Sequence, residues 1–341
     1  MKAAVYYSLS DIRIEEKPIP KIGEKEALVK MKACGICGSD LMEWYLKSRA
    51  PLVLGHEPAG VIVEKGSKVG VFDVGDRVFV HHHVACLKCR YCMHGDYTLC
   101  SQFHETNIEP GGFSEYFRVP APNLQLDTLK IPDALSFEEA TLIEPVGCCL
   151  RALKKCNIKK GDSIAIIGAG ATGVIHTALS KILSVEKTIV CDLIDFRLNM
   201  ARKFGADVTV NIAKENLSKV VAAETDGRGV DVAVVTAPNL EAYKAGLKVC
   251  RKGGTLCIFA PTKPGEYLQI SPKELFFSEI HLIPSYSTSH IETREVLELM
   301  TSGKLSLKGL ITHRFRLLDA AKAFKTALEN KESLKVIVFN E

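Results

Sequence analysis

The sequence predicts two domains: a mostly β domain, and an α/β domain built on a parallel, doubly wound sheet. The chain has 341 residues, which is enough for two domains of ordinary size. Its first third contains short β-branched stretches separated by Gly and Pro, a texture typical of a compact β domain. Further along, apolar strands alternate with helical patterns, and that alternation indicates a parallel sheet covered by helices.

Composition and charge exclude several classes of protein. Hydrophobic residues make up 47% of the chain and charged residues 25%, as in ordinary globular proteins. Lys and Arg number 44 against 40 acidic residues, a net charge of +4 that is too small and too scattered to indicate nucleic-acid or membrane binding. No apolar run is long enough to span a bilayer, and Asp11 and Arg13 stand where a signal peptide would be apolar. We expect a soluble, cytoplasmic protein.

The strands of the β domain come first, followed by one helix. ALVKMKACGI, AGVIVEKG, DRVFVHHHV and SEYFRVP read as strands bounded by turn residues. The segment from Ser136 to Cys156 predicts a helix, because Ser stands at the N-cap, acidic residues fill the first turn and basic residues the last.

The α/β pattern runs from Gly161 to about Ser285. Its strands are SIAIIG, KTIVCD, VTVNI, VDVAVVTA and TLCIFA, with helical stretches between most of them. Two further helices, near residues 293–301 and 319–328, precede a last strand, SLKVIVFN. We expect that strand to return to the first domain.

A glycine-rich fingerprint indicates a dinucleotide. Gly168, Gly170 and Gly173 spell G-x-G-x-x-G directly after a strand and before a helix, the context in which backbone N–H groups hold a pyrophosphate. Asp192 lies 19 residues after Gly173 and ends the next strand, where a carboxylate accepts hydrogen bonds from both ribose hydroxyls of NAD and repels a 2′-phosphate. The nearby Arg197 can pack on the adenosine. The pattern predicts NAD, with NADP as the alternative.

Four of the twelve cysteines indicate a structural zinc site. In a long chain without an export signal, clustered cysteines favour a metal over disulfides. Cys86, Cys89, Cys92 and Cys100 form C-x2-C-x2-C-x7-C, and four thiolates complete a tetrahedral shell. An iron–sulfur run would have three residues before its last Cys and then Pro, whereas here there are seven and then Ser101. A nucleic-acid zinc knuckle would need an aromatic and basic patch that is missing.

The chain resembles the zinc-containing medium-chain alcohol dehydrogenase family over nearly its whole length. The motifs are GHEPAGVIVEKGSKV at 55–69, the four-cysteine lobe, IEP at 143–145, the glycine fingerprint and THRF at 312–315. Glu144 stands where ethanol-type members carry a cysteine ligand, so the resemblance is to the sorbitol (polyol) and L-threonine 3-dehydrogenase branch. It implies a GroES-like catalytic domain over 1–150, completed by 287–341, a Rossmann domain over 151–286, and a homo-oligomer, either a dimer or a tetramer.

The resemblance also implies a catalytic zinc. Cys37, His56 and Glu57 would hold the ion, with Glu144 as a direct or water-mediated fourth ligand, and such mixed ligation leaves a position for water or substrate. Asp40 matches the acid that would orient His56 through the far ring nitrogen.

Further site residues follow from the same resemblance. Ser39 would accept the substrate proton, but Met42 replaces the histidine that passes it to solvent in many relatives. His83 stands where threonine dehydrogenases carry a substrate-site histidine, while His81 and His82 are expected at the solvated surface of a strand. An Arg–Tyr pair usual in sorbitol-type enzymes is here Ser–Tyr, which argues against sorbitol itself. The implied additional cofactor contacts are Thr172, Val174, Phe259, Ala260, Ser285 and Tyr286.

The expected function is NAD-dependent interconversion of a secondary alcohol and a ketone. A polyol, a sugar acid or a similar polar molecule fits the site, and L-threonine 3-dehydrogenase or 2,3-butanediol dehydrogenase activity is the alternative. A zinc-free quinone reductase would not need Cys37, His56 and Glu57 together. A non-catalytic nucleotide-sensing zinc protein is the alternative of another class, and it would hold at most one zinc per chain.

Overall fold

A computed structural model describes residues 1–341, and the chain divides into two compact units. The first unit contains Met1–Gly147 and Thr288–Glu341, and the second contains Cys148–Ser287. None of the helices combines the length and the apolar composition that crossing a bilayer requires.

The strands and helices follow in chain order. The strands are β1 (Lys2–Ser8), β2 (Asp11–Glu16), β3 (Ala27–Gly35), β4 (Leu52–Val53), β5 (Glu57–Lys65), β6 (Arg77–Val80), β7 (Tyr116–Val119), β8 (Thr128–Lys130), β9 (Ser163–Ile167), β10 (Lys187–Asp192), β11 (Val208–Asn211), β12 (Val230–Val235), β13 (Cys250–Ile258), β14 (His281–Pro284), β15 (Ile311–Arg316) and β16 (Lys335–Phe339). The α-helices are α1 (Glu43–Leu46), α2 (Arg90–Met93), α3 (Ser101–Glu105), α4 (Ala121–Asp127), α5 (Phe137–Ala140), α6 (Ile143–Lys155), α7 (Ala171–Ile182), α8 (Asp195–Lys203), α9 (Leu217–Glu224), α10 (Leu240–Val249), α11 (Pro272–Ser278), α12 (His290–Thr301) and α13 (Ala320–Glu329). Single 3₁₀ turns lie at Gly38–Leu41, Tyr97–Leu99 and Leu317–Asp319.

The first unit is built on β-sheets. A larger sheet has the order β15-β16-β3-β5-β6-β8, with β7 also paired to β3, and a smaller sheet has the order β2-β1-β4. The last strand, β16, pairs antiparallel with β3 and places Ile337 opposite Gly35. The C-terminal segment therefore completes the first unit. Apolar side chains from these strands and from α13 form its core, among them Val29, Phe117, Phe324 and Val338.

The second unit is a parallel sheet covered by helices. Its six strands have the order β11-β10-β9-β12-β13-β14, and every pairing is parallel. The central strand β9, SIAII, is buried along its whole length, as expected for a strand covered on both faces. Because the strand order reverses between β9 and β12, the loops after these two strands flank the crevice where doubly wound sheets bind nucleotides.

The helix expected from Ser136 to Cys156 is two helices, so the expectation of one continuous helix is wrong. At α5, Glu139 N donates to Ser136 Oγ (3.1 Å), and Ser136 N donates to the Glu139 carboxylate (3.1 Å), which is a capping box. Pro145 lacks the N–H that a continuous helix would need to donate to the Thr141 carbonyl, so α6 starts afresh at Ile143.

Candidate active site and cofactor site

Pairing between β3 and β5 brings the candidate metal ligands together. Gly35, at the end of β3, lies opposite Glu57, at the start of β5, and Cys37 begins the 3₁₀ turn just beyond β3. One ligand atom from each of Cys37, His56 and Glu57 lies within 4.8 Å of the others. Glu144 is also buried but is not part of this group. The antiparallel register thus joins residues 37 and 56–57.

Asp40 connects two of these residues. Its carboxylate is buried, accepts a hydrogen bond from the Cys37 amide (3.0 Å), and lies 3.4 Å from His56 Nδ1. Burial acts to lower the pKa of His56, but Asp40 and Cys37 outweigh it and hold that pKa well above its ordinary value. Because Nδ1 faces Asp40, the other ring nitrogen of His56 remains for a metal.

Glu57 forms a buried ion pair with Lys335. The Lys335 ammonium contacts Glu57 Oε2, and both side chains are almost fully excluded from solvent. Apart from this pair, neither oxygen of Glu57 has a hydrogen-bond partner. Burial raises the pKa of Glu57, Lys335 opposes this, and Glu144 adds to it, so that the net pKa is raised. Lys335 is therefore a cation of the protein that contacts one oxygen of this acid-rich site, Glu57 Oε2.

The donor set fits a catalytic zinc ion. A thiolate, an imidazole and a carboxylate are the ligands that zinc takes in proteins, and three of them leave a position open. A buried carboxylate with an oxygen that bonds to nothing is costly unless a cation compensates it. An ion bound between Cys37, His56 and Glu57 would supply that compensation.

Ser39 lies two residues after Cys37 in the sequence, and His83 is linked to His56 through the ring of His82. Ser39 is half-buried in the 3₁₀ turn that also holds Asp40. The rings of His56 and His82 lie 4.9 Å apart between centroids, and those of His82 and His83 lie 3.9 Å apart. The three imidazoles therefore form a continuous row that begins at a candidate ligand.

His83 is held as a neutral imidazole. Its Nδ1 lies 2.6 Å from the Thr106 carbonyl oxygen, which can only accept a hydrogen bond. Burial lowers the pKa of His83 to about 3. Nδ1 is therefore the protonated nitrogen, and Nε2 keeps a lone pair that can accept a hydrogen bond.

The expectation of a solvated surface is wrong for His81, whereas His82 is half-buried. His81 is fully buried, its Nδ1 lies 2.8 Å from Asp127 Oδ2, and Thr293 donates to the other oxygen of Asp127 (2.6 Å). Burial also lowers the pKa of His82 well below its ordinary value. The reason is that His81 directly follows β6, and its amide donates to the carbonyl of Asp127 at the end of α4 (3.0 Å).

The four-cysteine lobe has the geometry of a closed metal site. One sulfur from each of Cys86, Cys89, Cys92 and Cys100 lies within 4.8 Å of the others, with contacts of 3.5 Å (Cys89–Cys92) and 4.0 Å (Cys86–Cys92). Tetrahedral Zn–S bonds place sulfur atoms about 3.8 Å apart. The backbone N–H groups of Lys88 and Cys89 lower the pKa of Cys86 to about 6, which favours the thiolate. The lobe fits a structural zinc.

The glycine-rich loop divides into two packed positions and one open position. Gly168 has a φ of +109°, and a Cβ there would lie 2.7 Å from Thr236 Oγ1. A Cβ on Gly173 would overlap the Gly168 carbonyl oxygen. A Cβ on Gly170, in contrast, would have no atom within 4 Å. The open space therefore lies at the N-terminus of α7, where a pyrophosphate would bind.

Asp192 holds this loop. Its Oδ2 accepts a hydrogen bond from the Ala169 amide (2.7 Å), and its Oδ1 accepts one from the Ile194 amide (3.0 Å). Both oxygens are thereby oriented at the carboxyl end of β10. The side chain of Arg197, in α8, is half-buried, and its Nε has no partner.

The other expected cofactor residues lie at the same sheet edge. Thr172 is half-buried in the first turn of α7, but Val174 is fully buried and its amide donates to Gly170 O (2.9 Å), so it offers no free donor. Phe259 and Ala260 follow the end of β13, and Ser285 and Tyr286 follow the end of β14, with the Ser285 hydroxyl buried without a partner.

Sequence reasoning missed two residues of the first unit. Lys335 is the single lysine among the buried residues of the chain, and a lysine inside the apolar stretch SLKVIVFN was the available signal. Asp127, which holds His81, had no such signal, because an acid at the end of a short helix is ordinary on a surface.

The chain matches known dehydrogenases over its full length. Residues 23–133 match the alcohol dehydrogenase GroES-like domain, and residues 171–302 match the zinc-binding dehydrogenase family. Sorbitol dehydrogenase of Bacillus subtilis is 36% identical, with 99% of this chain and 97% of that protein aligned. L-threonine 3-dehydrogenase of Escherichia coli is 30% identical, with 97% and 98% aligned.

A solved structure has the same fold. The crystal structure of 2R,3R-butanediol dehydrogenase from Bacillus subtilis superposes with a TM-score of 0.87 at 29% identity and covers 100% of this chain and 99% of its own. The GroES-like unit, the Rossmann-type parallel sheet and the full-length matches all indicate the same family. The chain belongs to the zinc-dependent alcohol dehydrogenase family.

Proposed function

We propose that the protein is a zinc- and NAD-dependent dehydrogenase that interconverts a polar secondary alcohol, of the polyol type, and its ketone. One observation carries this proposal: the ligand atoms of Cys37, His56 and Glu57 gather within 4.8 Å of one another. These are three residues that a structural or nucleotide-sensing protein of this fold would not need together. The relatedness to polyol, threonine and butanediol dehydrogenases supports the same reaction class.

The reaction takes a hydride from the alcohol carbon and a proton from its oxygen. When bound, zinc supplies Lewis-acid polarisation of the substrate oxygen, and NAD supplies the hydride acceptor. Ser39 accepts the hydroxyl proton. Ser39 releases its own hydroxyl proton as it accepts this one, and because Met42 cannot carry a proton, the released proton passes to water. Asp40 keeps the His56 ring in one orientation through its contact with Nδ1.

The state of His83 supports a substrate with several hydroxyl groups. The neutral ring, held by Thr106, presents an acceptor nitrogen and carries no positive charge. Such a nitrogen accepts a hydrogen bond from a second hydroxyl of a polyol, but it would not pair with a substrate carboxylate.

L-threonine 3-dehydrogenase activity is the second candidate. It is favoured by His83, which lies in the histidine row that begins at His56, and by the relative from Escherichia coli. The hydroxyl or ammonium group of threonine would then be the donor to His83 Nε2.

The cofactor of this proposal is NAD. The Asp192 carboxylate is already oriented by two backbone amides, and its charge would repel a 2′-phosphate. NADP is the less favoured alternative, and the unpartnered Nε of Arg197 supports it.

A substrate screen tests the function. The purified protein is given NAD with a polyol panel, L-threonine and 2,3-butanediol, and NADH absorbance is followed before and after chelation. We expect turnover of a polyol that chelation abolishes and added zinc restores. Preference for L-threonine would support the second candidate, and no turnover with any alcohol would contradict both.

We also propose that the protein works as a cytoplasmic homo-oligomer, a dimer or a tetramer. None of the twelve cysteines forms a disulfide, which suits a reducing compartment. Phe276 and Phe277 in α11 are 76% and 69% exposed, and exposed apolar neighbours of this kind support a contact with another subunit. Light scattering after size exclusion tests the oligomer, and a monomer would contradict it.

A further inference from the structure

The Lys335–Glu57 ion pair is sealed inside the first unit. Lys335 is 3% exposed and Glu57 is 0% exposed. The register of β16 on β3 brings Lys335 to the side of Gly35, where a Cβ would overlap Glu57 Oε2 and lie 2.7 Å from Lys335 Cε. Only a glycine at position 35 leaves room for the pair. Water is therefore not available to solvate either charge, and each depends on the other.

The pair occupies one oxygen of Glu57 and leaves the other. The Lys335 ammonium contacts Oε2, while Oε1 is buried and makes no hydrogen bond. A carboxylate can ligate a metal through one oxygen or through both. With Oε2 held by a cation of the protein, only Oε1 is uncommitted.

The balance of charge in the site also indicates that Lys335 is needed there. Cys37, Glu57 and Glu144 are potential anions, and the Lys335 ammonium is close enough to interact electrostatically with all three. A divalent ion together with Lys335 would balance three anions. Without Lys335, both oxygens of Glu57 would be free to approach the ion, and the coordination position that a substrate needs would be filled.

We propose that Lys335 is a positioning residue that restricts Glu57 to one-oxygen ligation and so keeps a coordination position open for the substrate. This inference rests on the ligand set of the proposed function. It makes a prediction opposite to that of a purely structural ion pair. If Lys335 only stabilises the fold, its loss disorders the site and weakens metal binding; if it restrains Glu57, its loss strengthens metal binding.

The test uses Co²⁺ as the probe. The ion at the catalytic site of the full-length protein is removed by dialysis against a chelator, and Co²⁺ is titrated back while its visible absorption is recorded. For Lys335→Met we expect at least about tenfold tighter binding, which corresponds to about 1.4 kcal/mol. We also expect weaker absorption, because the coordination number rises. Lys331→Met, at an exposed lysine of the same C-terminal region, should behave as wild type.

Two further variants make the test decisive. In a Glu57→Gln background, Lys335→Met should have no additional effect, because the restraint acts through Glu57. If Lys335→Met does not fold, Lys335→Leu, which likewise removes both the charge and the hydrogen-bond donor, takes its place with the same expected result.

The outcomes separate this inference from the proposed function. Unchanged or weaker Co²⁺ binding, or an unchanged spectrum, overturns the role of Lys335. Cys37→Ser should abolish the catalytic-site signal, and if it does so while the lysine variants behave as wild type, the ligand set stands and this inference fails. If Cys37→Ser also binds Co²⁺ as wild type does, the ligand set itself is wrong.

Discussion

Single residues decide whether the metal ligands are ready to bind. Asp40 fixes both the backbone at Cys37 and the ring of His56, and it does so from a buried position in the 3₁₀ turn that follows β3. The ligands themselves were recognisable from the sequence because they lie in short motifs. The contacts that hold them, such as those of Lys335 and Asp127, come from distant segments and needed the fold.

The contact between Asp40 and His56 predicts a loss of zinc affinity. Asp40→Asn removes the charge that orients the imidazole, and comparable losses reduce metal affinity about 10- to 100-fold. Chelator competition measures this affinity, with Asp226→Asn, at an exposed aspartate, as the control. Equal zinc affinity in the two variants would show that Asp40 does not orient the ligand.

The carboxylate of Asp192 predicts the choice of nucleotide. Asp192→Asn keeps an acceptor for the Ala169 amide but removes the charge that repels a 2′-phosphate. We expect the ratio of NADPH to NADH dissociation constants to fall by about tenfold or more, which corresponds to about 1.4 kcal/mol. Fluorescence titration of both nucleotides measures the ratio, and a ratio that stays at the wild-type value would remove Asp192 from the cofactor site.

At the scale of elements, β9, the glycine-rich loop and α7 follow one another as the sequence predicted. This arrangement was predictable because strand, glycines and helix are contiguous, while pyrophosphate binding by the loop stays a prediction. The sequence also predicted most strands of the parallel sheet, since their apolar runs are buried on both faces. It did not single out α11 or β14, whose residues are largely exposed and carry little periodic signal.

Two glycine substitutions separate folding from cofactor binding. Gly170→Ala meets open space and a φ of −66°, so we expect stability within about 0.5 kcal/mol of wild type but at least tenfold weaker NADH binding. Gly173→Ala overlaps a backbone carbonyl, so we expect it to lose about 1–3 kcal/mol of stability as well. Thermal denaturation and NADH titration measure the two effects. A destabilised Gly170→Ala with normal NADH affinity would contradict the open position.

Because His176 is buried in α7, we expect the free energy of unfolding to fall at acidic pH. Burial lowers the pKa of His176 to about 4, whereas in the unfolded chain it titrates near 6.5. The unfolded state therefore binds more protons between these values, and stability present above pH 6.5 is lost as the pH falls towards 4. At pH 5 the loss is about 2 kcal/mol.

His176→Gln isolates this effect because glutamine does not titrate. Denaturant unfolding of both proteins at pH 7 and pH 5 gives the difference between them. We expect the advantage of wild type over the variant to shrink by about 2 kcal/mol at the lower pH. An advantage that does not change with pH would mean that His176 is not held neutral.

At the scale of the whole molecule, the chain combines two units with different tasks. The unit formed by Met1–Gly147 and Thr288–Glu341 contains both candidate zinc sites, and Cys148–Ser287 contains the glycine-rich loop. The family and the reaction class were predictable from motifs spread along the chain. The substrate was not, because the groups facing it depend on side-chain orientation, as the row formed by His56, His82 and His83 shows.

Zinc content per chain, measured by elemental analysis of wild type and Cys37→Ser, tests the central claim most directly. Two zinc ions in the wild type are expected, one in the four-cysteine lobe and one with Cys37, His56 and Glu57, and the variant should retain one. A wild-type protein with one zinc or none, or a Cys37→Ser protein whose zinc content is unchanged, would contradict a catalytic metal at this site.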